Sequence, residues 1–465
     1  MSAADLLARL ADEAAATHHC PSIAWGLVLD GSLVASGGVG TLDDGAAPDH
    51  HAVYRIASMT KSFTTAAVLG LRDDGALSLD VPVAHYAPEL AGVSGPAGSA
   101  PVTLRRLLSM TAGMATDDAW ADRHLDMTPD EIDRIYAGGP FFARLPDDGY
   151  EYSNLGFGMI GRTVLAATGT RVQDHVSNRL LGPLGMSNTR WVEPTDLRWA
   201  RPHRTQDDAI VPDLPHPIGD GEIAPMGGLW TTVADLATWV AWLDSANTQV
   251  HQPDAVGLSA ASRREMQRMH TYAGVTTVAG RTSPSGYGFG LNLRDDADLG
   301  MVIAHSGGLP GYGTNMRWLK GRGVGVIALA NTTYAPMGAL TLRMLAEMHH
   351  EAMLPPRPKV AAPVLEAAAH RLVALLNHWD DAAATALFSD NVALDDSFER
   401  RAAAAARLVG EHGPLRVLGV RGASWGSGTI DVQGSGAPFT ITIELAPLPT
   451  QTEGFVQLYS AQKPR

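Results

Sequence analysis

Arg55-Ile-Ala-Ser58-Met-Thr-Lys61-Ser-Phe-Thr-Thr-Ala-Ala-Val-Leu69 puts a serine hydroxyl and a lysine amine three residues apart at the start of an apolar run. Residues at i and i+3 lie on the same face of a helix, so the amine can reach the hydroxyl if this segment is helical. Serine is a poor nucleophile unless a neighbouring base takes its proton. The spacing therefore predicts that Ser58 is a nucleophile and that Lys61 is its candidate base.

Two further motifs follow at wide separations along the chain. Tyr152-Ser-Asn154 stands just before an apolar run, and His305-Ser306-Gly307-Gly308 follows the strand-like Met301-Val-Ile303. A single S-x-x-K occurs by chance in a chain of this length, and a helix-capping serine beside a solvated lysine is the alternative reading of Ser58 and Lys61. The ordered combination of all three motifs favours catalysis.

With these motifs the chain resembles the serine β-lactamase and DD-peptidase superfamily, and most of all its class C-like branch with related esterases, D-aminopeptidases and carboxypeptidases. The resemblance covers roughly residues 10 to 355. It includes segments that look like the structural signposts of that family, namely Asp73–Asp80, Leu107–Gly113, Leu181–Met186 and Gly227–Leu236. One departure is Met110 and Ala112, where many relatives carry His and Ser. This departure bears on substrate preference and leaves the chemistry intact.

The resemblance implies roles for the remaining motif residues. Asn154 is expected to orient Lys61 and to bind the acyl-side amide of the substrate. The backbone N–H groups of Ser58 and Gly308 are expected to form the oxyanion hole, since negative charge develops on the carbonyl oxygen. Ser306 is expected to donate to the substrate or to relay a proton, while Gly307 and Gly308 allow the strand edge to approach the substrate closely.

The base is predicted to be shared by Lys61 and Tyr152. Both side chains titrate at about 10 when unperturbed, so neither is deprotonated at neutral pH by default. A Lys61 ammonium beside Tyr152 is expected to lower the pKa of the tyrosine, while burial lowers that of the lysine. We expect the two to act together, without assigning the proton to either.

His305 bears on the substrate. Most β-lactamases of the superfamily carry lysine here, whereas imidazole is mostly neutral near pH 7. The predicted function is therefore a serine hydrolase that acts through an acyl-enzyme at Ser58 on an ester or a small D-amino-acid-like amide. Three alternatives stay open: an acyltransferase using the same acyl-enzyme, a penicillin-binding DD-carboxypeptidase or weak β-lactamase, and a non-catalytic binding or sensor module.

Composition narrows the partners and the location. The chain has 35 basic and 49 acidic residues, a formal net charge of −14, which argues against nucleic acid and anionic membranes as partners. Cys20 is the single cysteine, so no intramolecular disulfide is expected.

The N-terminus lacks the pattern of a signal peptide, and we expect a cytoplasmic protein. No metal or other cofactor is expected. The expected partner is a small ester or peptide-like molecule, and a homodimer is left open.

The organisation along the chain predicts an α+β fold, with an antiparallel sheet completed by both ends of the first domain and a helical lobe between them. This domain spans residues 1–354, a proline-rich linker spans 355–363, and a small α+β domain spans 364–465. Its helices followed by a strand meander suggest a domain like nuclear transport factor, with a lipocalin-like barrel as the alternative. The barrel needs strands where we predict helices.

Two segments have two readings each. Thr116–Arg123 and Pro212–Pro217 are either plain surface or loops that contact the substrate, because these regions border the cleft in the enzymes that the chain resembles.

Overall fold

The computed structural model describes residues 1–207, 209–213, 219–247, 256–355, 361–447 and 455–462. It divides into two compact units, Met1–Pro355 and Pro356–Arg465. Of the predicted linker, residues 356–360 lie outside the described ranges. None of the helices within those ranges is long and apolar enough to cross a membrane.

The strands of the first unit form one large antiparallel sheet and two short ribbons. The sheet has the order β2-β1-β12-β11-β10-β9-β8-β7, while β3 pairs with β6 and β4 pairs with β5. Strand β1 therefore lies beside β12, with β2 at the edge, as expected of a sheet completed by both ends of the domain. The strands are β1 (Ser22–Leu29), β2 (Ser32–Gly40), β3 (Tyr54–Arg55), β4 (His203–Gln206), β5 (Ala209–Pro212), β6 (Trp230–Thr231), β7 (Thr271–Val278), β8 (Arg281–Tyr287), β9 (Asn292–Asp296), β10 (Gly300–Leu309), β11 (Tyr312–Leu319) and β12 (Val324–Ala330).

Helices cover both faces of this sheet. They are α1 (Ala3–Thr17), α2 (Thr60–Asp73), α3 (Val83–Tyr86), α4 (Leu104–Leu108), α5 (Asp118–Ala121), α6 (Pro129–Gly138), α7 (Leu155–Thr168), α8 (Val172–Val176), α9 (Val233–Ser245), α10 (Ala260–Met266) and α11 (Met337–His350).

The two faces of the sheet belong to two separate hydrophobic clusters. Along β1, Ile23 and Leu27 pack with residues of α1 and α11, whereas Ala24 and Val28 pack with residues of α2, α7 and α9. This follows from the strand period of two, because successive side chains point to opposite faces. The cluster that contains Ala24 and Val28 is the larger of the two, and the catalytic motifs lie within it.

Helix α2 is enclosed on all sides. Every residue from Thr60 to Leu71 is buried, and Phe63 stacks on Trp239 of α9 with their ring centres 3.9 Å apart. A helix belongs in a core when each of its faces is apolar or has its polar side chains hydrogen-bonded. Residues at its N-terminus are therefore held rigidly relative to the sheet.

The predicted α+β class, with an antiparallel sheet flanked by helices and a small second domain, is confirmed. Strand β8 ends at Tyr287 and β9 begins at Asn292, so the chain turns between these two residues. Gly290 lies between them with a φ of +67°, and a Cβ there would lie 2.3 Å from Thr65 Oγ1. The chain turns here because it presses against the backbone of α2.

The second unit begins with helices and ends with a sheet. Its helices are α12 (Pro363–Asn377), α13 (Asp381–Leu387), α14 (Asp390–Asp395) and α15 (Phe398–His412), and its strands are β13 (Arg416–Gly422), β14 (Ser427–Gln433), β15 (Phe439–Leu445) and β16 (Val456–Gln462). The strands form an antiparallel meander in chain order. Residues that a lipocalin-like barrel would need as strands are helical in α12 and α15. The likeness to nuclear transport factor stays a prediction.

Candidate active site

Ser58 lies in a 3₁₀ turn, Ala57–Met59, that runs directly into α2. The residue before it, Ala57, has a φ of +49°, a left-handed conformation that non-glycine residues seldom adopt. Strained backbone of this kind persists only where the surroundings enforce it, and it is common at active sites. The side chain is 8% exposed. A small part of Ser58 thus reaches the cavity from a rigid support.

Lys61 lies one turn further along, beneath Ser58, and is completely buried. Its Nζ donates to Ser58 Oγ at 2.9 Å, to Asn154 Oδ1 at 2.6 Å and to the Met226 carbonyl at 3.0 Å. Burial lowers the pKa of Lys61 to about 8, although the carboxylates of Asp118, Asp122 and Asp117 favour the charged form. An amine with this pKa gains and loses a proton near neutral pH.

The partners of Lys61 suit a change of protonation state. The Asn154 oxygen and the Met226 carbonyl can only accept, so they hold two N–H groups in either state. The third partner, the Ser58 hydroxyl, can accept or donate. When Lys61 is neutral, its lone pair faces Ser58 and the hydroxyl becomes the donor. That is the arrangement a base needs.

Asn154 is a buried connector between Lys61 and the acidic segment that precedes α5. Its Nδ2 donates to Asp117 Oδ1 at 3.1 Å and to Asp118 Oδ1 at 2.7 Å. Asp117 also accepts from the backbone N–H groups of Asn154 and Leu155, at 2.7 and 2.8 Å, where α7 begins. Asn154 orients Lys61 as expected. The expected contact with the substrate amide differs from the structure, because Asn154 is 0% exposed and both of its N–H groups are engaged.

Tyr152 is part-buried, with Lys61 Nζ 4.8 Å from the centre of its ring. Burial and the neighbouring Tyr287 raise the pKa of Tyr152 well above 10, and a polar contact with Ser58 opposes that rise only in part. This differs from the expected lowering of the tyrosine pKa, because desolvation by burial, which disfavours the charged form, is the largest influence on it. Tyr152 is therefore a neutral proton donor here, and Lys61 is the group that can be deprotonated.

Strand β10 brings the third motif to the site along a free edge. It pairs with β9 only from Gly300 to Ala304, whereas its ladder with β11 continues to Leu309. Among the residues that the structure describes, the edge on the β9 side is thus unpaired from His305 to Leu309. A Cβ on Gly307 would lie 2.0 Å from the Ile56 carbonyl, so only glycine permits this close approach of β10 to the Ser58 turn.

His305 is held by the protein on both ring nitrogens. Nδ1 lies 2.7 Å from the Ser306 carbonyl and must carry the proton, because a carbonyl cannot donate. Nε2 then accepts from the Tyr287 hydroxyl at 3.0 Å. Burial and the Lys61 charge lower the pKa of His305 to about 3. The imidazole is therefore neutral, and both of its nitrogens have partners within the protein. Its binding of a substrate stays a prediction.

Ser306 points to the other face of β10 from His305 and is exposed. Its Oγ accepts from Asn315 Nδ2 at 2.9 Å, which leaves its own proton available. The expected donation to a substrate is compatible with this position.

A cavity of about 350 Å³ opens in front of Ser58. It brings together predicted and unpredicted residues: Ser58, Asp118, Asp122, Tyr150, Tyr152, Asn292, His305, Ser306, Gly308 and Tyr334. A second cavity of about 570 Å³ shares Tyr150, Asn292, Ser306, Gly308 and Tyr334 with it. Lys61 and Asn154 lie behind the first cavity, and Gly307 lines the second.

The segment Thr116–Arg123 borders the cavity, and its contact with a substrate stays a prediction. Asp117 is structural, whereas Asp118 and Asp122 line the cavity. Of Pro212–Pro217, residues 214–217 lie outside the described ranges, so that reading stays a prediction.

Sequence reasoning missed several residues of the site. The Met226 carbonyl, Tyr287, Asp122 and Tyr334 reach it from four separate segments. Of these residues only Asp122 carried a signal, because it lies in the stretch Thr116–Arg123 that the sequence analysis singled out. Met110, where many relatives carry His, supports the loop that carries the Tyr152–Asn154 motif. Its Sδ lies 3.4 Å from the backbone N of Ser153, and its carbonyl accepts from the backbone N–H of Glu151.

In the described ranges, no group of three or more His, Cys, Asp or Glu side chains is arranged to hold a metal ion.

Comparison with known proteins gives consistent similarities. The profile of the Beta-lactamase family matches residues 7–349. Penicillin-binding protein 4 of Amycolatopsis lactamdurans is 26% identical over 335 residues, which cover 68% of this chain and 81% of that protein. The octameric penicillin-binding protein homologue from Pyrococcus abyssi superposes with a TM-score of 0.63 at 19% identity, over 95% of this chain and 91% of that one. A D-stereospecific amidohydrolase from a Streptomyces species gives 0.56 at 22% identity, over 72% and 96%.

Proposed function

The chain belongs to the beta-lactamase family, and we propose that it is a serine hydrolase that forms an acyl-enzyme at Ser58 on an ester or a small D-amino-acid-like amide. One observation carries this proposal: a buried Lys61 amine lies 2.9 Å from the Ser58 hydroxyl, with its pKa lowered to about 8. A hydroxyl needs a base of this kind within hydrogen-bond reach before it can attack a carbonyl.

Acylation begins when Ser58 Oγ attacks the substrate carbonyl carbon and its proton passes to Lys61 Nζ. The carbonyl oxygen becomes negative and is stabilised by the backbone N–H groups of Ser58 and Gly308. Asn154 and the Met226 carbonyl keep the amine in line with Oγ throughout, since both remain its acceptors.

Collapse of the tetrahedral intermediate breaks the bond to the leaving group, which takes up a proton. Tyr152 is suited to deliver it, because its raised pKa keeps it protonated and it lies beside Ser58. Lys61 returns the proton to Tyr152. Water then attacks the Ser58 ester and gives a proton to Lys61. Lys61 passes this proton to Ser58 Oγ as the bond between Oγ and the acyl carbon breaks, which releases the acid and restores the free enzyme.

The preference for an ester or small amide over a penicillin rests on His305. A lysine at this position would supply a cation for the carboxylate of a penicillin, whereas His305 is neutral and both of its nitrogens are engaged. Penicillin binding is the second candidate, because the relative from Amycolatopsis lactamdurans is named a penicillin-binding protein.

Steady-state turnover of p-nitrophenyl acetate and of a penicillin, with native protein and with Ser58→Ala, tests the proposal. We expect ester turnover that Ser58→Ala abolishes and that Ser32→Ala, which changes an exposed serine, leaves intact. Faster turnover of the penicillin than of the ester would favour the second candidate. Ester turnover that survives Ser58→Ala would contradict both.

A further inference from the structure

We propose that Tyr334 limits the length of the acyl group that this enzyme accepts, because its side chain forms the wall between the Ser58 cavity and the second, larger cavity. The inference rests on the proposed function and names its substrate class, namely esters with short acyl groups. Tyr334 is a specificity-determining residue in this arrangement and takes no part in the chemistry.

The first observation is that the Tyr334 ring lies against β10 at the residue that is expected to complete the oxyanion hole. A Cβ on Gly308 would lie 2.7 Å from Tyr334 Cδ1 and 3.3 Å from Cε1, so the ring fills the space beside that glycine. The backbone N–H of Gly308 is the expected partner of the substrate carbonyl oxygen. A substrate carbonyl bound there therefore has the ring close beside it.

The second observation is that Tyr334 is held at both ends. Its backbone has a φ of +54°, and its N–H donates to the Tyr312 carbonyl at 3.1 Å. A left-handed conformation of this kind persists in a non-glycine residue only where the surroundings enforce it. At the other end the hydroxyl donates at 2.9 Å to Oδ2 of Asp122, a buried residue directly after α5. The side chain thus joins the turn before α11 to the helical lobe.

The third observation is the place of this side chain between two cavities. The Ser58 cavity of about 350 Å³ and the second cavity of about 570 Å³ have five lining residues in common, which are Tyr150, Asn292, Ser306, Gly308 and Tyr334. These residues form the boundary between the two spaces. Tyr334 is 45% exposed, so its ring stands at the mouth of that boundary, and we expect its removal to join the cavities.

The second cavity suits an alkyl chain once the ring is removed. Its apolar lining includes Val278, Leu293, Val302, Ala304, Pro336 and Met337. Its two arginines are hydrogen-bonded within the protein, since Arg294 donates to Thr276, and Arg317 donates to Thr341 and to the Gly338 carbonyl. Transfer of an alkyl chain from water to the apolar part of this lining is favourable.

The acyl group, rather than the leaving group, is directed at Tyr334. Tyr152 is the proposed proton donor to the leaving group, and it lines the Ser58 cavity but is not among the described residues that line the second cavity. The leaving group has to lie beside Tyr152 to receive that proton. The acyl group, on the other bond of the carbonyl carbon, therefore extends away from Tyr152, towards the edge of β10 and the Tyr334 ring.

The test compares p-nitrophenyl acetate with p-nitrophenyl hexanoate, which have the same leaving group. In the native protein kcat/KM should be roughly tenfold or more lower for the hexanoate, as for a chain that exceeds its pocket. Tyr334→Ala should bring the ratio close to one, whereas Tyr334→Phe, which retains the ring, should keep the native preference. Tyr272→Ala changes an exposed tyrosine that is not among the described residues lining either cavity, and it should leave the ratio as in the native protein.

Equal turnover of both esters by the native protein, or a native ratio that survives Tyr334→Ala, would overturn the inference. The same holds for a Tyr334→Phe ratio that matches Tyr334→Ala, and for loss of turnover of both esters in Tyr334→Ala. If Tyr334→Ala does not fold, Tyr334→Leu decides, because its shorter side chain should move the ratio in the same direction. Native ester turnover that survives Ser58→Ala is a different result, which refutes the proposed function itself.

Discussion

Two groups of polar side chains flank Ser58, and they differ in how completely they are hydrogen-bonded. The inner set, Lys61, Asn154 and Asp117, exchanges hydrogen bonds that use every N–H group of the lysine and of the asparagine side chain. The outer pair, Asp118 and Asp122, lines the cavity, where Asp118 accepts from the Asn154 amide and Asp122 from the Tyr334 hydroxyl. The difference separates residues that hold the catalytic geometry from residues that face the cavity.

The largest expected effect comes from the centre of the inner set. Lys61→Arg retains the charge but replaces the base with a group that stays protonated at all accessible pH values. We expect acylation by p-nitrophenyl acetate to slow by about a thousandfold, the middle of the range for loss of a general base. Stopped-flow release of p-nitrophenolate measures it, with Lys320→Arg as the matched control. A loss below about tenfold would mean that the base is another group.

Removing the connector of the inner set should be nearly as harmful. Asn154→Ala takes one acceptor from Lys61 and two donors from the acidic segment. We expect kcat to fall by about a hundredfold, as for loss of a positioned hydrogen-bonding group, and the free energy of unfolding to fall by about 1–3 kcal/mol. Urea unfolding and ester turnover are the measurements, and Asn188→Ala is the control. Unchanged stability with unchanged kcat would show that the inner set is not a unit.

Tyr152 tests whether the deprotonated group is the lysine alone. If Tyr152 is a neutral donor, Tyr152→Phe should slow anilide hydrolysis by about a hundredfold but p-nitrophenyl acetate hydrolysis by less than about tenfold, because p-nitrophenolate leaves without a proton. The control is Tyr136→Phe, a buried tyrosine outside the cavity lining. Equal and large losses on both substrates would instead assign Tyr152 to the base.

The smallest expected effect is a shift in the pKa of Lys61, which the carboxylates of the outer pair influence. Since attack requires neutral Lys61, kcat/KM for p-nitrophenyl acetate should rise as pH passes through about 8, and His305, with a pKa of about 3, should add no transition near neutrality. Asp122→Asn removes a charge that favours the ammonium form, so the midpoint should move to lower pH. A shift to higher pH, or a similar shift in Asp130→Asn, would contradict this coupling.

The inner set was largely predictable from the sequence, whereas the outer pair was not. Ser58 and Lys61 are fixed by helical spacing, and Tyr152 and Asn154 by an ordered motif, so local pattern and resemblance sufficed. The structure still changed two roles: Asn154 is too deeply buried to contact a substrate, and burial raises the pKa of Tyr152 where a lowering was expected. Burial is a tertiary property that spacing does not encode.

The outer pair was visible in the sequence only as an acidic and aromatic stretch with two readings. Its partner Tyr334 is 212 residues away from Asp122, and the turn before α11 carries no motif. The same holds for Tyr287, whose hydroxyl donates to His305 Nε2. Contacts of this kind arise from how the sheet is assembled, and one chain without its fold cannot indicate them.

The central claim is that Ser58 becomes acylated with the help of Lys61, and intact-protein mass spectrometry after mixing with p-nitrophenyl acetate tests it most directly. We predict an acetyl adduct on the native protein, mapped by peptide analysis to Ser58, absent in Ser58→Ala and strongly reduced in Lys61→Arg. An adduct of equal yield in Ser58→Ala, or one mapped to another residue, would contradict the account.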